Sequence, residues 1–174
     1  GAEVLSRPAK GGLASAYMEG LSAVLNQGHD TVVQMDADLS HNPTDVPRLI
    51  AGLDGADLVL GSRYVAGGGP ENWSLWRRGL SRFGSWYARQ WLALPYRDLT
   101  GGFKAWRGDL LRELELETLQ TEGYAFQVET PLRAHRLGAT IHELPITFTE
   151  RTVGRSKMTH AIAMEAARVI PRLR

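Results

Sequence analysis

Apolar positions in the first part of the chain switch between helical spacing and short continuous runs. Apolar residues recur at helical spacing from Leu13 to Gln27 and stop at Gly28, which predicts a helix closed by a glycine. The runs from Thr31 to Met35 and from Asp57 to Gly61 predict two strands. The chain therefore opens with alternating helices and strands, a pattern typical of an α/β fold.

A second helix is predicted between these two strands. Asn42 suits a helix cap and Pro43 suits the first helical position, so this helix is expected to run to about Leu53. The order of elements predicts parallel strands joined by right-handed crossovers. Ligands of such sheets gather beyond the carboxyl ends of the strands, where the pattern places Asp36 and Arg63.

The rest of the chain predicts further elements of both kinds. Val4 and Leu5 are interpreted as the end of a strand, and the glycine-rich run from Ala66 to Pro70 predicts an irregular, mobile loop. The other predicted elements are a long amphipathic helix over Trp73–Leu94, a strand over Phe103–Trp106, a short helix over Gly108–Leu116, a helix over Phe126–Leu137, a strand over Thr140–Thr149 and a last helix over Lys157–Ile170.

Composition limits the classes of protein to which the chain can belong. Its 174 residues, 43% of them hydrophobic, suffice for one sizeable core and are too few for two ordinary domains, so residues 1–174 are predicted to form a single domain. With 20 Lys and Arg against 19 Asp and Glu, the net charge of +1 argues against a nucleic-acid partner. The absence of cysteine excludes disulfide and thiolate chemistry.

Two carboxylates one residue apart follow the first predicted strand. Asp36 and Asp38 fall on one face if the strand continues, so both can reach one hard cation and its phosphate ligands. Mg²⁺ or Mn²⁺ suits such a site and neutralises a diphosphate leaving group. The same residues also suit a turn or a cap, so the spacing leaves both interpretations open. His41, beside the predicted helix start, is expected to be a solvated residue of the capping region rather than a ligand.

Three cationic segments are candidates for anion binding. Arg63 follows a strand, where a bidentate phosphate contact and a surface ion pair are equally open. Arg77 and Ser81 share one helix face and can hold one phosphate together, although a solvated face or a single-stranded nucleic-acid site has the same pattern. The basic loop from Arg151 to Lys157 precedes a helix start, which favours either anion binding or a disordered loop.

Six segments in a fixed order carry a more specific signal than any one motif. They are Met35–His41, Gly61–Tyr64, Glu71–Trp73, Asp98–Lys104, Gly123–Gln127 and Gly154–Lys157, preceded by Arg7–Leu13, which is similar to a Lys-Gly-Leu-Gly segment. Together they resemble the dolichol-phosphate and polyprenol-phosphate mannose synthases within the inverting family 2 glycosyltransferases. The resemblance covers nearly the whole chain.

The resemblance implies a Rossmann-like, three-layer α/β sandwich of the GT-A type that binds a nucleotide sugar. It implies GDP-mannose as donor, polyprenol or dolichol phosphate as acceptor, and Mg²⁺ or Mn²⁺ as cofactor. Asp36 and Asp38 take the family's acidic positions at the donor and the metal, and Ser40 takes the third position near the metal. Lys10 matches the donor-binding segment near the start of the chain.

The resemblance also assigns an acceptor site. Arg63, Arg77, Ser81 and Arg155 match positions that hold the lipid phosphate, with Lys157 as a weaker match. Arg63 and Arg155 join Asp36 and Asp38 in the implied catalytic set. Gln127 and Glu129 match a helix start near the sugar, without an assigned role, and the turn-rich segment at Asp98 suits either a plain loop or a sugar pocket.

The chain departs from the family at its start. The family opens with a Pro-x-Tyr-Asn-Glu strand and an Asp-Asp-x-Ser-x-Asp-Gly stretch that hold the nucleotide, and neither occurs in this sequence. The chain is therefore expected to begin inside its domain, without the first βα units.

The expected reaction is a single displacement with inversion, because an acceptor phosphate is already anionic and needs no general base. The enzyme is expected to lie at the cytoplasmic face of a membrane as a peripheral protein, with a separate anchor subunit or domain as a possible partner. Two alternatives stay open. One is a UDP-sugar-dependent prenyl-phosphate glycosyltransferase, and the other is a non-catalytic anion-binding module.

Overall fold

The computed structural model describes residues 1–9, 11–121, 123–150 and 167–174. Most predicted elements occur within a few residues of their expected bounds. The α-helices are α1 (Leu13–Asn26), α2 (Val46–Ala51), α3 (Leu75–Leu92), α4 (Gly108–Glu113) and α5 (Phe126–Arg136). The strands are β1 (Thr31–Gln34), β2 (Leu58–Ser62), β3 (Gly69–Glu71), β4 (Lys104–Arg107), β5 (Ile141–Pro145) and β6 (Thr147–Thr149).

Local sequence signals set several helix ends. Asn42 accepts a hydrogen bond from the Thr44 N–H and begins the 3-10 turn that leads into α2, as the cap-and-proline pattern predicted. Ser74 caps α3 by accepting from the backbone N–H of Arg77 at 3.3 Å. Gly28 has a φ of 81°, a left-handed conformation that favours glycine, and the chain turns there after α1.

The main sheet has the strand order β1–β4–β2–β5. β1 and β2 each pair with β4 in antiparallel register, so they run in the same direction, and β2 pairs with β5 in parallel. The predicted common direction of β1 and β2 is thus confirmed, whereas a wholly parallel sheet is wrong because β4 lies between them and runs the other way. After β2 the chain passes through α3 and comes back to the edge of the sheet at which β2 ends. β4 starts at this edge and therefore runs antiparallel to β2.

Side chains of the sheet pack against helices on both faces. One cluster joins Leu58, Leu60 and Trp106 to residues of α1, α4 and α5. The opposite face carries Val59 and Ala105, which pack with residues of α2 and of the turn that follows it. This alternation confirms the three-layer α/β sandwich.

A second, two-stranded sheet pairs β3 with β6 in parallel. The loop predicted from Ala66 to Pro70 is therefore wrong at its end, because Gly69 and Pro70 belong to β3. The single strand predicted over Thr140–Thr149 is divided at Ile146, whose N–H donates to Ser62 O and whose carbonyl accepts from the Gly69 N–H. The chain passes from the main sheet to the second sheet at this residue.

Both ends of the chain differ from the sequence predictions or lie beyond what is described. Val4 and Leu5 form no strand and are 80% and 56% exposed. The interpretation of these two residues as the end of a strand is therefore wrong, because they pair with no strand and no core covers them. Most of the predicted helix over Lys157–Ile170 lies outside the described residues; residues 167–169 are helical, and a 3-10 turn follows over Ile170–Leu173.

Candidate active site

The strand directions gather three segments at one edge of the main sheet. β1 and β2 end at this edge and β4 begins there, which brings Asp36, Arg63 and Gly102 to the same side of the molecule. A Cβ placed on Gly102 would lie 3.6 Å from Asp36 Oδ1, and one on Gly101 would lie 3.2 Å from Gly61 O. The two glycines therefore allow the backbone before β4 to approach the acidic segment closely.

Asp36 is held from two sides. Its Oδ1 accepts a hydrogen bond from the Tyr17 hydroxyl at 3.1 Å, and its backbone N–H donates to His41 Nδ1 at 3.1 Å. Burial, followed by the charge of Asp36, raises the pKa of Tyr17, so the tyrosine is a neutral donor at physiological pH. Tyr17 of α1 therefore holds the Asp36 carboxylate, and His41 holds the Asp36 backbone.

His41 is buried, and the expectation of a solvated capping-region histidine is wrong. Its exposed fraction is 2%, and its ring lies 4.9 Å from the Phe103 ring and 5.1 Å from the Phe148 ring. Burial lowers the pKa of His41 although the charge of Asp36 opposes that shift. The neutral imidazole accepts from the Asp36 N–H and so supports the acidic turn through its backbone.

Asp38 lies in a tight turn with Ser40. The Ser40 N–H donates to Asp38 Oδ1 at 3.1 Å, and the Ser40 hydroxyl donates to the same oxygen. Leu39 between them has a φ of 64°, a strained value for a bulky side chain, and is 77% exposed. The strain is localised at the turn that presents the second carboxylate.

Asp36 and Asp38 supply carboxylate oxygens, the ligand type that a divalent cation of the magnesium type prefers. Both are half-buried, and no Lys or Arg among the described residues forms an ion pair with Asp36. In the part of the chain that the structure describes, no three or more His, Asp or Glu side chains form a group that could hold a metal ion. A cation at Asp36 and Asp38 would complete its shell with water and diphosphate oxygens, as Mg²⁺ ordinarily does. Ser40 is buried and directs its hydroxyl to Asp38, which makes it a support for that carboxylate in this geometry.

Arg63 forms a buried ion pair with Asp98. Its Nε and Nη2 donate to the two carboxylate oxygens of Asp98 at 2.7 Å each, and its backbone N–H donates to the same carboxylate at 3.0 Å. Nη2 also donates to Thr100 Oγ1 at 2.9 Å. Burial alone raises the pKa of Asp98, but the charge and hydrogen bonds of Arg63 bring it below its usual range. The pair ties the end of β2 to the segment before β4.

Arg63, which follows β2, and the predicted acceptor residues of α3 lie around two aromatic rings. The Trp73 ring is 4.2 Å from the Arg77 guanidinium carbon and 5.6 Å from that of Arg63. The Tyr64 hydroxyl donates to Ser81 Oγ at 2.6 Å, while the Arg63 guanidinium carbon is 5.3 Å from the Tyr64 ring. Arg63, Arg77 and Ser81 thus belong to one region, as the sequence indicated.

This arginine and aromatic region also contains two charged residues, Glu150 and Arg82, that were not among the predicted acceptor residues. Arg77 Nη1 donates to Glu150 Oε1 at 2.6 Å, and the Arg82 guanidinium carbon lies 5.8 Å from the Tyr64 ring. Of the other predicted site residues, Lys10, Arg155 and Lys157 lie outside the described residues.

Sequence reasoning gave no role to the buried polar residues behind Asp36, although Gln127 was placed at a helix start near the sugar. Lys104, Gln127 and Gln34 are buried and linked by hydrogen bonds, and Tyr17 reaches Asp36 from α1. A lysine at the start of an apolar strand was the available signal, because a buried charge requires partners. Asp98, left open as a loop residue or a pocket residue, is the carboxylate that binds Arg63.

The fold is similar to that of several solved structures. Crystal structures of glucosyl-3-phosphoglycerate synthase from Mycobacterium tuberculosis match with TM-scores of 0.65, for the complex with Mn²⁺, UDP and phosphoglyceric acid, and 0.67, for the complex with phosphoglyceric acid. Both are 20% identical and cover 96% of this chain, and they are covered to 54% and 56% of their own length. The fold is thus that of the GT-A class of nucleotide-sugar glycosyltransferases.

Within that class, the chain belongs to glycosyl transferase family 2, whose model matches residues 1–115. The undecaprenyl-phosphate mannosyltransferase of Micrococcus luteus is 47% identical over 94% of this chain and 67% of its own length. The polyprenol monophosphomannose synthase of Mycolicibacterium smegmatis is 42% identical over 94% of this chain and 62% of its own length. The chain therefore spans about two thirds of the length of these relatives.

Proposed function

We propose that the protein transfers mannose from GDP-mannose to a polyprenol or dolichol monophosphate, with inversion and with Mg²⁺ or Mn²⁺ as cofactor. One observation carries this proposal. The carboxylate turn at Asp36 and Asp38 follows β1 and Arg63 follows β2, so both lie at one edge of the sheet, and the Trp73 ring lies close to both Arg63 and Arg77. The names of the two mannosyltransferase relatives support the choice of sugar and acceptor.

The reaction follows from the charges of the two substrates. A phosphate oxygen of the acceptor attacks C1 of the mannose, the bond from C1 to the diphosphate oxygen breaks, and GDP leaves with that electron pair. Attack opposite the leaving group inverts the configuration at C1. The acceptor is a phosphate monoester and supplies an anionic oxygen at neutral pH, so no side chain needs to remove a proton.

Each side of the site has a separate task. Asp36 and Asp38 would hold the divalent cation, which supplies electrostatic stabilisation to the departing diphosphate. Arg63, Arg77 and Ser81, joined by Arg155 and Lys157, would bind and orient the acceptor phosphate. Asp98 keeps Arg63 in place through two short hydrogen bonds, so this arginine is positioned before the substrate arrives. Lys10 is assigned to the donor by resemblance alone.

We include peripheral attachment at the cytoplasmic face of a membrane in the proposal. Along α3, the apolar side chains of Trp76, Phe83 and Trp86 are 70%, 57% and 53% exposed. Arg78 and Arg82 lie on the same helix, a combination that suits the interface of an anionic bilayer. Among the described residues, no helix is both long enough and apolar enough to cross a membrane. A separate anchor subunit or domain remains part of the proposal.

The decisive experiment compares donors and removes one carboxylate. The full-length protein is assayed with GDP-mannose, UDP-glucose and other nucleotide sugars, together with a polyprenyl phosphate and Mg²⁺. We expect transfer from GDP-mannose, which Asp38→Ala abolishes because the diphosphate loses its cation site. Asp54→Ala removes an exposed carboxylate away from the site and should leave the rate unchanged.

Three outcomes contradict the proposal. Transfer from a UDP-sugar in place of GDP-mannose would establish the alternative donor class. Binding of anions without transfer from any donor would establish a non-catalytic module. Full activity of the Asp38→Ala variant would exclude the proposed cation site.

A further inference from the structure

A buried lysine lies directly behind the candidate active site. Lys104 is the first residue of β4, and its exposed fraction is 1%. Its Nζ donates to the Gln127 backbone oxygen at 2.8 Å, to Gln127 Oε1 at 2.8 Å and to Thr130 Oγ1 at 3.2 Å. The Thr130 hydroxyl donates to Phe126 O at 3.2 Å, so its oxygen is an acceptor for the lysine. The three N–H groups of an ammonium thus match three acceptors on α5.

Two donors reach the oxygen of the Gln127 side-chain amide, and the Lys104 ammonium sets its orientation. Besides Lys104, Gln34 Nε2 of β1 donates to Gln127 Oε1 at 2.8 Å. Rotation of the amide by 180° would turn its NH₂ group toward the Lys104 ammonium, which has no acceptor, so that hydrogen bond would be lost. The Gln34 amide can itself rotate, so it follows the orientation of Gln127 and does not set it. The amide oxygen must therefore face Lys104 and Gln34, and Nε2 must face the opposite direction.

That opposite direction is the edge of the sheet where Asp36 lies. A Cβ on Gly102 would be 3.4 Å from Gln127 Nε2 and 3.6 and 3.7 Å from the two Asp36 carboxylate oxygens. The space beside Gly102 is therefore bounded by an amide donor on one side and a carboxylate on the other. Gly102 and Asp36 are both half-buried, whereas Gln127 is buried.

The charge at Lys104 has no packing advantage. Burying an ammonium is costly until its hydrogen bonds offset the loss of water, and a methionine of similar length would avoid that cost. What the lysine provides is direction, because an apolar side chain would leave the Gln127 amide free to rotate.

We propose that Lys104 is a positioning residue that acts through Gln127, setting the Gln127 amide as a hydrogen-bond donor to an oxygen of the nucleotide sugar bound beside Asp36. This inference rests on the proposed function for the identity of the ligand. The arrangement of Lys104, Gln34 and Gln127 itself involves only described residues and their distances.

The test is a double-mutant cycle in the full-length protein. Lys104→Met, Gln127→Ala and the double variant are compared for GDP affinity in the presence of Mg²⁺ by calorimetry, and for kcat/KM. Loss of a residue that orients a contacting group costs about 10- to 100-fold in comparable sites. We expect each single variant to lose a factor in this range, and the double variant to be no weaker than Gln127→Ala alone.

A control separates positioning from loss of stability. Leu132→Ala opens a cavity at a buried position of the same helix and should lower the unfolding temperature without changing GDP affinity. If Lys104→Met and Gln127→Ala combine additively, or if Leu132→Ala weakens GDP binding as much as Lys104→Met does, Lys104 is only structural and the inference is wrong.

Gly102→Ala probes the space beside Gly102 directly. The added methyl would make only ordinary contacts, at 3.4 Å or more, and Gly102 is not in the left-handed region, so the variant should fold normally. It should nevertheless weaken nucleotide-sugar binding at least 10-fold by occupying the space between the amide and the carboxylate. Unchanged affinity would overturn the inference.

Different results would refute the proposed function and the proposed role of Lys104. Binding of UDP in place of GDP would refute the proposed donor, and the same cycle measured with UDP would still test Lys104. Normal transfer from GDP-mannose with an additive cycle would refute the role of Lys104 alone. A protein that binds no nucleotide would refute both.

Discussion

At the scale of single residues, the buried charges of the candidate site each form hydrogen bonds to an opposite charge or to uncharged acceptors. Arg63 and Asp98 are both almost fully buried, with exposed fractions of 7% and 1%. Removing such charges from water is costly, and their mutual attraction and shared hydrogen bonds offset that cost only while both are present. Lys104 satisfies the same requirement with uncharged oxygen acceptors.

Asp98→Ala should therefore destabilise the protein strongly. It leaves the Arg63 guanidinium buried without its carboxylate, and we expect the free energy of unfolding in urea to fall by about 3–5 kcal/mol. The double variant Arg63→Met with Asp98→Leu leaves no charge unpaired, so it should recover much of the lost stability. It should remain inactive, because it lacks the Arg63 guanidinium. A loss below about 1 kcal/mol for Asp98→Ala would contradict the importance of the pair.

Lys104 should make stability depend on pH. Burial lowers its pKa from 10.5 to about 7, with the charge of Asp98 opposing the shift. Between these values the unfolded chain binds more protons than the folded one, so the free energy of unfolding should rise with pH, by at most about 1.4 kcal/mol per pH unit. Below pH 7 the cost of burying the charge is fully present.

The measurement is urea unfolding of the wild type and of Lys104→Met from pH 6.5 to 9.5. The free energy of unfolding of the wild type should rise steadily above pH 7 relative to that of Lys104→Met, because only the wild type contains the buried lysine. Tyr17 and Tyr64, whose pKa values are raised by burial, act only above about pH 10 and therefore lie outside this range. A difference that is constant with pH would contradict the lowered pKa.

At the scale of elements, the glycine-rich segment after β2 turns back and packs closely against the end of that strand. Gly68 N–H donates to Val65 O at 3.0 Å, and a Cβ on Gly68 would lie 2.4 Å from Ser62 O. The segment returns closely against the end of β2 before β3 pairs with β6. The absence of a side chain at Gly68 is required by this close return.

Gly68→Ala should destabilise the protein by about 1–3 kcal/mol, because the backbone of β2 has no room to move away from the added methyl group. Gly69→Ala is the matched control, since a Cβ there meets nothing within 4 Å, and it should stay within about 0.5 kcal/mol of wild type. Urea unfolding compares the two variants. Equal effects of the two substitutions would show that the close approach is unimportant.

The exposed aromatic face of α3 should mediate membrane binding. We expect the triple variant of Trp76, Phe83 and Trp86 to serine to keep its stability, because these side chains are already exposed, and to lose most of its affinity for anionic vesicles. Sedimentation with phosphatidylserine vesicles at low and high salt measures this. Ile50→Ser, an exposed apolar substitution on α2, is the control. Undiminished binding of the triple variant would exclude α3 as the contact.

At the scale of the whole molecule, a net charge of +1 conceals a strong local organisation. Carboxylates collect in the turn after β1, and arginines collect between the end of β2 and α3. The two groups are separated along the chain and become neighbours only through the sheet. The cation site and the anion site that we propose would thus lie side by side, as transfer between two phosphate-bearing substrates requires.

Much of this organisation was predictable from local patterns. Helical spacing located α1 and α3, short apolar runs located β1 and β2, and the order of six motifs indicated the family that the comparisons confirm. These signals arise between residues close in sequence, where the period of the backbone decides which side chains share a face. They also placed Asp36 and Arg63 at strand ends with a common direction.

The tertiary structure alone decided the partners of the polar groups. The antiparallel insertion of β4, the burial of His41, and the pairing of Arg63 with Asp98 could not be predicted from spacing. The hydrogen bonds that define the site join residues 35 positions apart for Arg63 and Asp98, 23 for Lys104 and Gln127, and 93 for Gln34 and Gln127. Such contacts depend on how the strands are ordered in the sheet, and local periodicity contains no information about that order.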